Sequence, residues 1–394
     1  MKCLLLILLA LALRVNAAAP WSIAHWSDCH AGAWCLSTNA DNLFAYVLSK
    51  TNDGTLNIKG LVLTGDVYEQ DTNYFNGGSY YNSNQWQFTA ATNKFRSFVT
   101  NGVFLIACNG NHDADDFANT YGSWTDPADV SLAWSNMFSV DFFSGQTNYV
   151  PGLNWGGSAI ANDARQMVMT YTNSGVNLAF ATFSSSFSNG IPASGIFADI
   201  FSQIAPQTLW VSNQLASLPN YNGIALAHFW LGHDLKAGQL GNMYHTVRNY
   251  PLLTTNDWNY AYYQNIGPGI VPFFQGLGSC SNLFMCLGGH TQSLRKGHLY
   301  QPRAGGAVDI QSFNMQQTAG VLGLPNGQAV SVITFYPDLK KAVTRTFNTL
   351  TGAEITNNAV DVGTISSDGA SNYYQHTWTT PLAVPRQIRI MGTR

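Results

Sequence analysis

The chain has 394 residues, of which 46% are hydrophobic and only 10% are charged, and its formal net charge is −3. A chain of this length can bury a large core, as one large domain or as one domain with an appendage. The weak charge balance excludes the basic field with which nucleic-acid-binding proteins neutralise phosphates. We therefore expect no nucleic-acid partner.

The first residues have the pattern of a secretory signal peptide. Lys2 is followed by an apolar run from Cys3 to Leu13, and small residues suited to cleavage come next, so we expect a cut after Ala17. The apolar run is too short to cross a bilayer, and no later segment is long and apolar enough to do so. Residues 1–17 are thus predicted to be a signal peptide, and the mature protein is predicted to be secreted or periplasmic.

Taken in chain order, the following segments alternate between strand and helix patterns. Short apolar runs that end in polar residues predict buried strands, and these runs read "WSIAHWSD", "GLVLTGD", "VFLIACNGNHD", "NLAFATFS", "GIALAHF" and "LFMCLGGH". Apolar residues at helical spacing predict helices at 41–50, from Phe88 to Val99, and in "QTLWVSNQLASL". Near the end, "AVSVITFY" and "KKAVTRTFN" predict a hairpin that turns at "PDLK". The alternation predicts an α/β fold whose first strands are parallel.

Composition distinguishes a loop-rich middle region from the rest of the mature chain. Residues 114–160 are rich in Asp, Asn, Ser, Gly and aromatic residues, which is typical of long active-site loops. We expect one domain over residues 18–350 and a β-rich or irregular extension over residues 351–394. Cys108 stands inside an apolar run and is interpreted as a buried core thiol.

Polar clusters follow the predicted strands, and they read "SDCH", "TGD", "NGNHD", "AH" and "GGH". Taken singly, an Asp or His at such a place is more often a turn residue, a helix cap or a satisfied polar group than a ligand. In open α/β sheets, however, ligands bind at the carboxyl ends of the strands, where the loops converge. We therefore expect these clusters to meet in one crevice.

Together the clusters offer two carboxylates, three imidazoles and one amide oxygen, from Asp28, His30, Asp66, Asn111, His228 and His290. This set is too large for one tetrahedral zinc ion, but it suits two divalent ions with near-octahedral coordination. Asp28 and His30 are two residues apart, so in an extended chain their side chains point the same way. The pattern thus predicts a site for two metal ions.

In this order, "SDCHAG", "LTGDVYE", "CNGNHDADD", "IALAHFWLGH" and "LGGHTQ" resemble the five motifs of the calcineurin-like metallophosphoesterase family. The resemblance covers about residues 21–345. It implies a four-layer α/β/β/α sandwich of two mixed β-sheets flanked by helices. It also implies a small phosphate-ester substrate, such as a nucleotide, a phosphodiester or a phospholipid headgroup, and two divalent ions drawn from Mn, Fe, Zn, Mg and Ca.

The resemblance further implies a role for each motif residue. Asp28 and His30 would hold the first metal, and Asp66 would bridge the two. The second metal would be held by Asn111, His228 and His290. A hydroxide shared by the metals would attack phosphorus. His112 would protonate the leaving oxygen, and Asp113 would orient the ring of His112.

The chain departs from the family pattern at Gln292, which stands where the second His of Gly-His-X-His completes the first metal site. An amide oxygen is a neutral and harder ligand than imidazole, which disfavours zinc and favours Mn, Mg or Ca. Three outcomes are open: Gln292 binds through its oxygen, a nearby residue such as His298 substitutes for it, or the first metal is lost and activity falls. We hypothesise the first, because the other motif residues are all present.

Two other classes of function were weighed against the phosphoesterase. A binding protein could keep the fold without turnover, and the abundant aromatic and uncharged polar residues would suit glycan or lipid-headgroup recognition. The presence of His112 and Asp113 argues against it, because a binder needs no proton donor. A serine hydrolase is disfavoured because the sequence has no G-x-S-x-G elbow.

Overall fold

A computed structural model describes the parts of the chain that build its two sheets and the helices packed on them. The described residues are 18–28, 37–67, 93–110, 138, 140–146, 148–151, 166–183, 209–228, 280, 282–289, 295–299, 308–312, 328–355 and 373–377.

The strands of the described chain are β1 (Trp21–Trp26), β2 (Ile58–Thr64), β3 (Phe104–Cys108), β4 (Asn148–Pro151), β5 (Met167–Asn173), β6 (Val176–Thr182), β7 (Asn222–Leu226), β8 (Leu283–Gly288), β9 (Arg295–Leu299), β10 (Val308–Ser312), β11 (Ala329–Tyr336), β12 (Lys341–Asn348) and β13 (Tyr373–Thr377). The helical segments are α1 (Ser37–Ser49), α2 (residues 93–100), α3 (Val140–Ser144), α4 (residues 209–216) and a 3₁₀ turn at Pro337–Leu339.

These strands form two mixed sheets. The first has the order β13-β12-β11-β1-β2-β3, in which β1, β2 and β3 are parallel and the β11, β12 and β13 side is antiparallel. The second has the order β4-β5-β6-β7-β8-β10-β9, in which β6, β7, β8 and β10 are parallel. Six of the parallel strands, β1, β2, β3, β6, β7 and β8, are almost entirely buried, which is why they read as mainly apolar runs in the sequence.

The two sheets pack face to face through aromatic side chains. Trp21 of β1 lies 5.4 Å from Tyr171 of β5, measured between ring centroids. Phe104 of β3 lies between Tyr171 and Phe180 of the second sheet, at 4.3 and 5.4 Å. The ring of Phe104 covers Gly60 of β2, where a Cβ would have no room. The absence of a side chain at Gly60 therefore lets this ring lie flat between the sheets.

Helices cover the outer faces. Trp26 points to the opposite side of β1 from Trp21, and its ring contacts Phe44 of α1 at 6.3 Å. On the second sheet, Leu215 of α4 packs so closely on Gly223 of β7 that a Cβ there would lie 3.3 Å from the leucine methyl carbons. The predicted α/β fold of two mixed sheets flanked by helices is confirmed.

Strand β5 was not predicted from the sequence, whereas β6 corresponds to the predicted strand "NLAFATFS". β5 and β6 form a hairpin whose central turn residues, Ser174 and Gly175, both have positive φ, at 49° and 79°. Such a pair is typical of the type I′ turn that joins two-residue hairpins. The predicted hairpin of β11 and β12 is confirmed, and its turn places Lys340 in the left-handed region. Cys108 is fully buried, as the sequence predicted. Among the described residues, no helix is long and apolar enough to span a membrane.

Candidate metal centre

Three buried polar residues stand two positions beyond the ends of parallel strands. Asp28 follows β1, Asp66 follows β2, and His228 follows β7, which belongs to the other sheet. Each is at most 2% exposed, and one ligand atom from each lies within 4.8 Å of the others. The carboxyl ends of the two sheets therefore meet at this cluster.

The backbone at both aspartates is bent into the left-handed region. Asp28 has φ of 55° and Asp66 has φ of 49°, and Gly65 before it has φ of 91°. Outside glycine this region is populated mainly by Asn and Asp, and a residue held there costs about 1–3 kcal/mol. The backbone N–H of Asp28 donates to the carbonyl of Gly65 at 3.0 Å, which joins the two bent ends. Strain of this kind concentrates at functional sites.

Glycines bring the loops of the centre into contact. A Cβ on Gly65 would lie 2.5 Å from Nδ1 of His228 and 2.7 Å from the backbone of Gly110. A Cβ on Gly110, directly after the β3 end, would collide with the carboxylate and the backbone N of Asp66. A Cβ on Gly289, directly after β8, would collide with Ser27 and lie 2.5 Å from Oδ2 of Asp28. Any side chain at these three positions would push the strand ends apart.

The imidazole of His228 is held by a backbone carbonyl. Its Nδ1 donates to the carbonyl oxygen of Thr64 at 2.7 Å, because that oxygen can only accept. Nε2 is thereby directed to Oδ2 of Asp66, 3.0 Å away. Burial alone would lower the pKa of His228, but the carboxylates of Asp66 and Asp28 raise it to about 9.

The donor set fits a divalent cation. Two carboxylates and one imidazole, converging in a buried place, are ligands of the kind that Mn, Fe and Zn ions take. The raised pKa of His228 reflects the same negative field that would attract such an ion. A cation that binds Nε2 displaces the proton from it, since only neutral imidazole is a ligand.

The structure brings together three of the residues expected at the site, Asp28, Asp66 and His228. Their role as ligands stays a prediction. The other expected site residues lie outside the described residues: His30, Asn111, His112, Asp113, His290 and Gln292.

The backbone argues against His298 as the substitute for Gln292. His298 lies on β9 and pairs with Asp309 of β10, which in turn pairs with Met285 of β8. His298 therefore lies two strands away from β8. Along the strands it is level with Met285, which is three residues before Gly288, the last residue of β8. Strand spacing and rise make this a backbone separation of about 14 Å from Gly288. The backbone of His298 therefore lies away from the carboxyl end of β8, where Gly289 approaches Asp28.

Two further buried side chains, Ser27 and His25, lie behind the centre. The hydroxyl of Ser27 donates to Oδ2 of Asp28 at 2.7 Å. Nε2 of His25 lies 2.9 Å from Oγ1 of Thr64, and burial lowers the pKa of His25 to about 3, so its ring is neutral. In the sequence, only their closeness to Asp28 points to a place at the centre. Ser27 directly precedes Asp28, and His25 precedes Asp28 by three residues.

No protein-family model matches the sequence, and no curated protein matches it. Solved structures do resemble the chain. A dimetal phosphatase from Danio rerio is 9% identical, with a TM-score of 0.48, over 86% of this chain and 99% of that one. Haemophilus influenzae NAD nucleotidase (NadN) is 14% identical, with a TM-score of 0.41, over 86% of this chain and 49% of its own. The chain thus spans about half the length of that nucleotidase.

A third similar structure is GAP50, described as the anchor in the inner membrane complex of Plasmodium. It is 11% identical, with a TM-score of 0.36, over 86% of this chain and 87% of its own. At identities and TM-scores this low, the likeness concerns the layout of the fold alone.

The close approach at Gly110 yields a prediction. We expect Gly110→Ala to weaken Mn²⁺ binding at least about tenfold, because its Cβ would displace the Asp66 carboxylate. The φ of Gly110 is not in the left-handed region, so alanine adds no strain to the φ angle at position 110 itself. Calorimetric titration with Mn²⁺ measures the effect. Gly54→Ala, in open space, is the matched control; equal affinities in the two variants would contradict the geometry described.

Proposed function

We propose that the chain is an exported, metal-dependent phosphoesterase that hydrolyses a small phosphate ester. The observation that carries this proposal is the buried cluster of Asp28, Asp66 and His228 at the meeting point of two mixed sheets. A buried group of carboxylates with an imidazole is costly unless a charge compensates it, and a divalent cation does so directly. The signal peptide expected over residues 1–17 supports export.

Asp66 is proposed as the bridging ligand, the role that the motif resemblance implies for it. Its Oδ2 faces His228 at 3.0 Å, and its Oδ1 lies on the side of Gly110. The first ion would be held by Asp28, His30, Asp66 and Gln292, and the second by Asp66, Asn111, His228 and His290. When bound, the two ions would activate a water molecule for attack on phosphorus and neutralise charge on the phosphate.

Chain connectivity supports the residues proposed from the loops. Asn111 directly follows Gly110, and His290 directly follows Gly289, so each Cα lies about 3.8 Å from that of a glycine that touches the centre. His112 can lie at most about 7 Å from Gly110, measured between Cα atoms. We propose that His112 donates a proton to the leaving oxygen and that Asp113 orients its ring.

The test of the proposed function is hydrolysis of p-nitrophenyl phosphate and bis-p-nitrophenyl phosphate by the mature chain with Mn²⁺. We expect turnover of at least one ester, and a loss of at least about 100-fold in kcat/KM for Asp66→Asn, because that variant removes a carboxylate that both ions need. Asp338→Asn, at an exposed turn, is the control. Full activity in Asp66→Asn would contradict the proposal, as would the absence of turnover with Mn²⁺, Zn²⁺, Mg²⁺, Fe²⁺ and Ca²⁺ alike.

A second candidate function rests on Gln292, which replaces an expected imidazole. A chain that bound metal and phosphate ester without turnover would be a binding protein on the same fold. The hydrolysis measurement separates the two, because only the enzyme releases p-nitrophenol.

We propose that Gln292 binds the first metal through Oε1 and shifts the preference of the site from Zn²⁺ toward Mn²⁺. Metal analysis of the wild type beside Gln292→His tests this. We expect two Mn²⁺ ions in each, with tighter Zn²⁺ binding only in Gln292→His. Gln214→His, on α4, controls for an added imidazole elsewhere. A wild type with one ion or none, and a variant that gains an ion together with activity, would show that the glutamine does not serve as a ligand.

A further inference from the structure

We propose that Ser27 is a positioning residue, whose hydroxyl holds the Asp28 carboxylate in the orientation in which it shares a cation with Asp66. This inference rests on the metal centre of the proposed function. It concerns a side chain that binds no metal itself and acts only through Asp28.

The contacts of Ser27 support a single main direction for its hydroxyl proton. Ser27 is 2% exposed, and its Oγ lies 2.7 Å from Oδ2 of Asp28, 2.9 Å from the carbonyl oxygen of Thr64 and 3.3 Å from that of Gly65. All three neighbours are acceptors, and the hydroxyl has one proton to donate. The carboxylate oxygen is both the nearest and the charged acceptor, so it receives the stronger bond.

The Ser27 hydroxyl reaches Asp28 where the chain bends beyond β1. It sits beyond the end of β1 with φ of 55°, outside the regular ladder of hydrogen bonds. A short carboxylate at such a place can rotate among its rotamers. The Ser27 hydroxyl limits that rotation from one side, and the close backbone of Gly289 limits it from the other, because even a Cβ there would collide with Ser27 and approach Oδ2 of Asp28.

The oxygen of the same hydroxyl lies at the ends of two neighbouring strands, β1 and β2. Ser27 directly follows β1. Thr64 is the last residue of β2, and Gly65 directly follows it. The carbonyl oxygen of Thr64 also accepts a hydrogen bond from Nδ1 of His228. The hydroxyl that faces Asp28 therefore lies beside the carbonyl oxygen that aligns His228. Groups behind a metal ligand that fix it in this way are worth about 10–100-fold in metal affinity.

The chain supplies a matched control on the same strand. Ser22 of β1 is fully buried, and its Oγ lies 2.8 Å from Oγ1 of Thr334. It precedes Ser27 by five residues, which is about 17 Å along an extended strand. Ser22→Ala thus removes a buried hydroxyl and a hydrogen bond as Ser27→Ala does, but far from the centre.

The experiment is calorimetric titration of the metal-free mature chain with Mn²⁺ for the wild type, Ser27→Ala, Ser27→Cys and Ser22→Ala, with thermal unfolding of each in EDTA. We expect Ser27→Ala to bind the ion at least about tenfold more weakly and Ser22→Ala to bind it as the wild type does. Ser27→Cys, whose thiol is a weaker donor of similar shape, is expected to lie between. Should Ser27→Ala not fold, the thiol variant decides the matter, because wild-type affinity there would overturn the inference.

The outcomes separate this inference from the function on which it rests. Equal affinities in Ser27→Ala and Ser22→Ala, with Mn²⁺ bound by both, would overturn the role of Ser27 and leave the metal centre standing. A wild type that takes up no Mn²⁺ would overturn the proposed function and the role of Ser27 together. A loss of thermal stability in Ser27→Ala without a loss of affinity would show a structural hydroxyl only.

Discussion

The contact between Oδ2 of Asp66 and Nε2 of His228, 3.0 Å long, joins the carboxyl ends of two different sheets, and the rest of the centre depends on it. Packed sheets stand about 10 Å apart, so polar groups from both can meet only where the chain bends inward beyond the strands. Left-handed backbone at the aspartates provides the bends, and glycines remove the side chains that would prevent the approach. Among these, Gly110 leaves room for the Asp66 carboxylate itself.

That contact carries an energetic cost which the fold must meet elsewhere. Buried carboxylates lose their hydration, and residues at positive φ add about 1–3 kcal/mol each. The aromatic layer between the sheets, where Phe104 packs on Tyr171 and Phe180, is where apolar burial offsets such costs. A divalent cation would relieve the repulsion between the carboxylates of Asp66 and Asp28, whose negative charge also raises the pKa of His228.

Sequence reasoning found the carboxylates and His228 because each follows an apolar run, and parallel strands deliver such residues to one edge. The same runs predicted the α/β fold, while the arrangement in two mixed sheets was an implication of the motif resemblance. Sequence reasoning missed β5, where polar and apolar residues mix in a short stretch. It also missed Ser27, because its partners at Thr64 and Gly65 are distant in sequence and are backbone carbonyl groups, which every residue possesses. What the sequence hides is therefore the backbone geometry, including the left-handed bends and the carbonyl that aligns His228.

The central claim is that Asp28, Asp66 and His228 belong to one centre for divalent ions, in which Asp66 shares one ion with Asp28 and another with His228. Its most direct test is anomalous diffraction at the manganese absorption edge from crystals of the mature chain grown with Mn²⁺. The account predicts an anomalous peak within about 2.0–2.3 Å of a carboxylate oxygen of Asp66 and of Nε2 of His228. Well-ordered side chains at this place with no anomalous peak between them, at saturating Mn²⁺, would contradict it.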